Sequence, residues 1–215
     1  TREITYNLKK YNFFIKYIEA LKNGGYGYAN NYILHNIKSN YHLIVNPDII
    51  FYKNTFYQAI FFLEKNPDIA LLTPAVFDLQ LQQQFLCKKN PTLLSQFLRL
   101  IFKHKKIILK NYLAKYEYLD HDYQQIIYDI PNCTGCFMFF RTEILQQLKG
   151  FDERFFYYMD DADLSRRTLQ IAKTVYVPQI KVIHEYQGDA YKNKKLRNIA
   201  IKSAIKYFLK WGGLF

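Results

Sequence analysis

The chain has 215 residues, half of them hydrophobic and 22% charged, which excludes a disordered segment and suffices for one sizeable core. Thirty basic against 18 acidic residues give a formal charge of +12, so an anionic partner is expected: nucleic acid, a phospholipid surface or a phosphorylated small molecule. Three cysteines are too few for a disulfide framework and point to a reducing compartment, and no apolar stretch approaches the roughly 18 residues of a membrane span.

The first informative segment runs from Asn23 to Asn31. Gly24, Gly25 and Gly27 permit close backbone approach and positive φ, and a helix from near Ala29 would aim its N–H groups at the same crevice. It lacks both GxGxxG and the P-loop lysine, so a phosphate loop and a plain turn both fit. Residues 41–45 read as a buried strand delivering Asn46-Pro47-Asp48 to a loop. A helix over 54–65 with Asn54 as N-cap and a strand over 69–72 closed by Thr73-Pro74 follow, a βαβ unit on a parallel sheet.

Residues 92–115 carry Leu93, Leu94, Phe97, Leu98, Ile101 and Phe102 at helical spacing among many lysines. Both a solvated basic face and an interfacial helix on anionic lipid match that pattern. Residues 136–141 predict a second buried strand, with Thr142 capping a helix to Leu148 that Gly150 ends. Asp160 or Asp161 then opens a helix to about Ala172, two short strands follow over 174–177 and 181–184, and 192–210 form a basic amphipathic helix. With no repeat, linker or boundary, residues 1–215 read as a single domain.

Three groups of side chains carry chemistry. Asp160, Asp161 and Asp163 crowd into four residues, and a helix N-terminus would offset their repulsion. Asp163 is also spaced to pair with Arg167. A plain acidic cap and a catalytic site both fit; the preceding Phe155, Phe156, Tyr157 and Tyr158, an aromatic wall suited to a sugar ring, favour the site. Asp48, at the carboxyl end of a strand, could hold Mg²⁺ or Mn²⁺ against a diphosphate, although Asn-Pro-Asp is also an ordinary turn. Cys133-x-x-Cys136 lacks the second pair that a zinc site needs.

In order along the chain, NGGYGYANN, LIVNPD, TGCFMFFRTEIL, KGFDERFFYYMDDADLSRR, VPQIKVIH and AIKYFLKWG resemble the family 2 GT-A glycosyltransferases, in particular the rhamnosyltransferase-like group of bacterial surface polysaccharide synthesis. The resemblance implies an α/β GT-A fold, a mostly parallel sheet flanked by helices. Gly25, Gly27, Asn31, Asn46, Asp48 and Gly135 would line the donor. Asp48 would hold the divalent cation, Asn46 replacing the usual first aspartate, and His184 would either complete that site or be structural. Asp161 matches the general base, Asp160 stands where relatives carry Glu, and Tyr157, Tyr158 and Asp163 fall on the acceptor side.

The implied reaction is inverting transfer from a nucleoside-diphosphate sugar to lipopolysaccharide or cell-surface polysaccharide, through a saccharide or lipid-linked acceptor. It would run in the cytoplasm, on the anionic inner face of the bacterial inner membrane. Nucleic-acid binding rests on charge alone and lacks a module. Relatives place a longer segment ahead of the glycines than the 22 residues present here, so an N-terminally incomplete domain lacking its first βαβ unit is expected. The alternative reading is an inactive, membrane-associated remnant.

Overall fold

A computed structural model describes residues 16–34, 36–96, 110–185 and 194–212. The elements are α1 (Tyr26–Leu34), β1 (Tyr41–Val45), β2 (Ile49–Phe51), α2 (Thr55–Lys65), β3 (Ile69–Phe77), β4 (Gln83–Gln84), α3 (Lys110–Tyr116), β5 (Ile127–Tyr128), β6 (Phe137–Arg141), α4 (Thr142–Gln147), α5 (Asp160–Thr168), β7 (Lys173–His184) and α6 (Lys194–Trp211). The strands form one seven-stranded mixed sheet in the order β1-β6-β3-β7-β2, with β4 on β3 and β5 on β7. The fold is α/β, a sheet flanked by helices.

Strand β3 is the centre of the sheet, and eight of its nine residues are buried, as a strand covered on both faces requires. Alternation divides its side chains: Leu71 joins Met138, Phe140, Leu145 and Leu164 on one face, Leu72 joins Ala59, Leu63, Phe137 and Val182 on the other. Helices α4 and α5 cover the first face and α2 the second, contributing Thr55, Ala59 and Leu63 at one-turn intervals.

Several expected features take a different form. The two strands of the βαβ unit, β1 and β3, are not neighbours: β6 lies between them, antiparallel to both. Thr73-Pro74 does not end β3, because the parallel ladder to β7 shifts register between Pro74 and Ala75 and so spares the missing N–H. The same irregularity absorbs residues 178–180 of β7, making one strand where two were expected: Pro74 pairs with Val177 and Ala75 with Lys181. Asn54 sits at the N-cap of α2 but makes no side-chain cap bond; Thr142 is the first residue of α4, its hydroxyl buried with no hydrogen-bond partner among the described residues, and Arg141 takes the cap position. Gly150 ends that segment as expected, at φ +65°. Helix α5 stops at Thr168 rather than Ala172. Most of the expected basic helix over 92–115 lies outside the described residues.

Candidate active site

The carboxyl ends of β1, β3 and β7 and the amino end of β6 meet at one edge of the sheet, where open α/β sheets bind ligands. Asn46 is carried there by β1, its N–H donating to the Cys136 carbonyl at 3.0 Å. Helix α5 points its N-terminus at the same place. The two residues before it, Tyr158 and Met159, both have left-handed φ, +68° and +64°. Such backbone costs about 1–3 kcal/mol per residue and persists only where its surroundings impose it. Here Ser203 Oγ donates to the Tyr157 carbonyl (2.8 Å), Tyr26 N–H to the Phe156 carbonyl (3.0 Å) and Asp163 N–H to the Met159 carbonyl (2.9 Å).

Asp161 is oriented by two backbone donors: Gly135 N–H reaches Oδ2 at 3.1 Å and Ala162 N–H reaches Oδ1 at 2.8 Å. A Cβ at Gly135 would lie 3.3 Å from the Asp161 Cβ, so the glycine permits this approach. Ser165 fixes the same junction, donating to the Asp161 carbonyl (2.8 Å) and accepting from Cys133 N–H (3.0 Å). Asp160 beside it is buried. Desolvation, then the charge of Asp161, push its carboxyl up to about 7.

Tyr26, which the glycine-rich pattern did not single out, completes the group. Its hydroxyl donates to the Gly135 carbonyl (2.9 Å) and lies 3.4 Å from Asn46 Oδ1, and its ring meets Tyr157 at 6.4 Å. Burial first, then Asp160 and Asp161, raise the phenol's pKa, which keeps it a donor. Tyr157 itself is exposed.

Asp48 and His184 form the second half of the site. The β2–β7 register sets Ile49 opposite His184, and Glu185 N–H donates to the Asp48 carbonyl. Thereby His184 Nε2 stands 3.4 Å from Asp48 Oδ2. Asp48 Oδ1 is buried with no hydrogen-bond partner among the described residues. A buried carboxylate oxygen free of hydrogen bonds, next to an imidazole, suits a divalent cation. Among the described residues no three His, Cys, Asp or Glu side chains are placed to hold one metal ion together, so a cation at Asp48 and His184 would need further ligands from water or a diphosphate.

Four residues expected at the donor or acceptor have structural duties in the fold. Asn31 clamps α1 to the following loop: its amide donates to the Phe151 carbonyl (2.8 Å) and to Glu153, and its oxygen accepts Phe151 N–H (2.8 Å). Gly27 is buried where a Cβ would lie 2.7 Å from Phe151. Asp163, expected on the acceptor side, is fully buried with Arg167 at 2.7 Å, Trp211 Nε1 at 2.7 Å and Lys210 at 2.5 Å. The expected Arg167 pair is present, and both carboxylate oxygens of Asp163 are engaged within the core. Gly25, at φ +93°, has the Phe156 carbonyl 2.0 Å from where its Cβ would be, so it serves close approach between loops. Cys87, Cys133 and Cys136 are buried free thiols.

The chain belongs to glycosyl transferase family 2, whose model matches residues 1–149. No curated protein matches its sequence. Among solved structures it is similar to mannosyltransferase PcManGT from Pyrobaculum calidifontis in complex with GDP-Man and Mn²⁺, at 16% identity and TM-score 0.58, covering 97% of this chain and 49% of that one. It is also similar to GalNAc-T7 with UDP, GalNAc and Mn²⁺, at 14% identity and TM-score 0.60 over 97% of this chain and 40% of that one. A third similarity is to residues 1–349 of S. aureus TarS, at 14% identity and TM-score 0.54 over 99% and 59%. The chain thus has the GT-A fold and spans about half the length of these proteins.

Proposed function

We propose that this chain is the core of an inverting glycosyltransferase that moves a sugar from a nucleoside-diphosphate donor to a growing lipopolysaccharide or cell-surface polysaccharide. The observation that carries the reading is the Asp161 carboxylate, set at the sheet's ligand-binding edge by Gly135 N–H and flanked by Asn46, Tyr26 and Tyr157. Asp161 accepts the proton of the acceptor hydroxyl as that oxygen attacks the anomeric carbon, which requires about 3 Å between them. Asp160, buried beside Asp161, has its carboxyl raised by desolvation and by that neighbouring charge, so below about 7 it holds its own proton and adds no second negative charge next to Asp161. Tyr157 and Tyr158 offer the acceptor sugar an aromatic wall. Asp48 and His184 would hold Mg²⁺ or Mn²⁺, which when bound offsets charge on the departing diphosphate. Within the family we place the chain in the rhamnosyltransferase-like group, working at the cytoplasmic face of the bacterial inner membrane.

The test is donor turnover by the full-length gene product. Asp161→Asn should lower kcat at least about a hundredfold with an unchanged melting temperature, the scale of a lost general base. Turnover equal to wild type would overturn the assignment, and absence of turnover in the wild type would favour the inactive remnant.

A further inference from the structure

Helix α6 is apolar and cationic on the side that faces away from the protein. Ile201, Ile205 and Leu209 succeed one another at one-turn intervals and are 44%, 54% and 82% exposed. Arg197 and Lys202 are exposed beside them, and the helix contains no acidic residue. The polar fastenings are on the inner side: Ser203 Oγ to the Tyr157 carbonyl, Trp211 Nε1 to Asp163, Lys210 to Asp152 and Asp163, around Tyr207, which is fully buried against Phe155. No helix among the described residues is long and apolar enough to cross a membrane; against a bilayer this stripe would lie along the surface. Charge selects the occupant. A second copy docked through α6 would set cation against cation, whereas an anionic lipid surface takes both the lysines and the apolar stripe.

We infer that α6 docks on an anionic bilayer through Ile201, Ile205 and Leu209, with Arg197 and Lys202 at the headgroups. The docking surface stands on exposure and charge alone; its use rests on the glycosyltransferase reading. Because the inner side of α6 holds the Tyr157 loop and α5, docking fixes the height of Asp161 above the membrane. The matching acceptor is a lipid-anchored saccharide whose free hydroxyl reaches the cleft from the headgroup layer.

Co-sedimentation of the full-length chain with vesicles of phosphatidylcholine alone, or of phosphatidylcholine with phosphatidylglycerol, tests this. Binding should require phosphatidylglycerol and weaken with salt. The triple variant Ile201→Ser, Ile205→Ser, Leu209→Ser should lose binding at least about tenfold, as loss of three interfacial apolar side chains predicts. Its circular dichroism, melting temperature and turnover of a soluble acceptor should stay at wild-type levels. Arg197→Gln with Lys202→Gln should bind more weakly and with a shallower salt dependence. Equal binding to both vesicles, wild-type binding by the triple variant, or self-association abolished in that variant would each overturn the inference. Vesicle binding without sugar transfer would leave the docking surface standing and remove the glycosyltransferase reading instead.

Discussion

Gly135 donates its N–H to Asp161 and receives the Tyr26 hydroxyl on its carbonyl, so one residue without a side chain holds two functional ones in register. Removing the phenol hydroxyl leaves that carbonyl and the Asn46 oxygen short of a donor while the ring keeps its edge contact with Phe151 at 5.6 Å. A neutral hydrogen bond is worth about 0.5–1.5 kcal/mol, so Tyr26→Phe should lower the melting temperature only slightly. If Asp161 acts as the proposed base, the larger effect should be on rate: a fall in kcat of about tenfold with little change in donor KM, since roughly 1.4 kcal/mol of misplacement at that carboxylate is felt in the transition state. A change in KM alone would make Tyr26 a donor contact rather than a positioning residue. Asn31 teaches the opposite lesson. Its polar side chain beside glycines reads as a ligand group in sequence, yet both ends of its amide are consumed by the Phe151 backbone.

At the scale of elements, α5 and α6 are joined by one buried carboxylate. Asp163 receives Arg167 from its own helix and Lys210 and Trp211 from α6, while Arg167 reaches on to the Leu148 and Gly150 carbonyls. Breaking a buried ion pair by deleting one partner costs about 3–5 kcal/mol, because the remaining charges stay desolvated. Asp163→Asn should therefore lower the urea midpoint by an amount equivalent to about 3 kcal/mol, with loosened packing of α6 seen as faster amide exchange there. Loss of less than 1 kcal/mol would mean that Lys210 and Arg167 find other partners, Asp152 being within reach of the former. The same clasp supports the left-handed pair Tyr158–Met159, since α6 also holds the Tyr157 carbonyl. Strain at the turn before Asp161 and stability of the last helix are thus one property.

For the molecule as a whole, Asp160 links pH to stability. Its carboxyl, ordinarily near 3.8, is raised to about 7 in the fold. Below 3.8 both folded and unfolded chains hold this proton; between 3.8 and about 7 only the folded chain does; above about 7 neither does. Stability contributed by this group is therefore full in acid and lost as pH rises through 7. Asp160→Asn should flatten the fall in denaturant midpoint over that range and stabilise the protein at pH 8, read from midpoints across pH; an unchanged slope would refute it.

Most of the element order was legible because it is local: apolar runs, glycine stops and the basic periodicity of α6 are properties of neighbouring residues. Pairing was not, since the insertion of β6 between β1 and β3 depends on contacts about 70 to 100 residues apart. Spacing linked Asp163 to Arg167, but it did not show that Asp163 lies wholly in the core while Asp161, two residues earlier on the same helix, reaches the sheet edge. The part that was not legible comes from Trp211 and Lys210, which join Arg167 on Asp163 and which no local pattern connects to it.

The three thiols have a practical consequence. Cys87, Cys133 and Cys136 are all buried, and desolvation pushes each toward the unreactive protonated form. The native chain therefore presents little background to maleimide reagents. A single cysteine introduced at the exposed position of Leu209 becomes a selective attachment point for a fluorophore, and the native thiols need not be removed first.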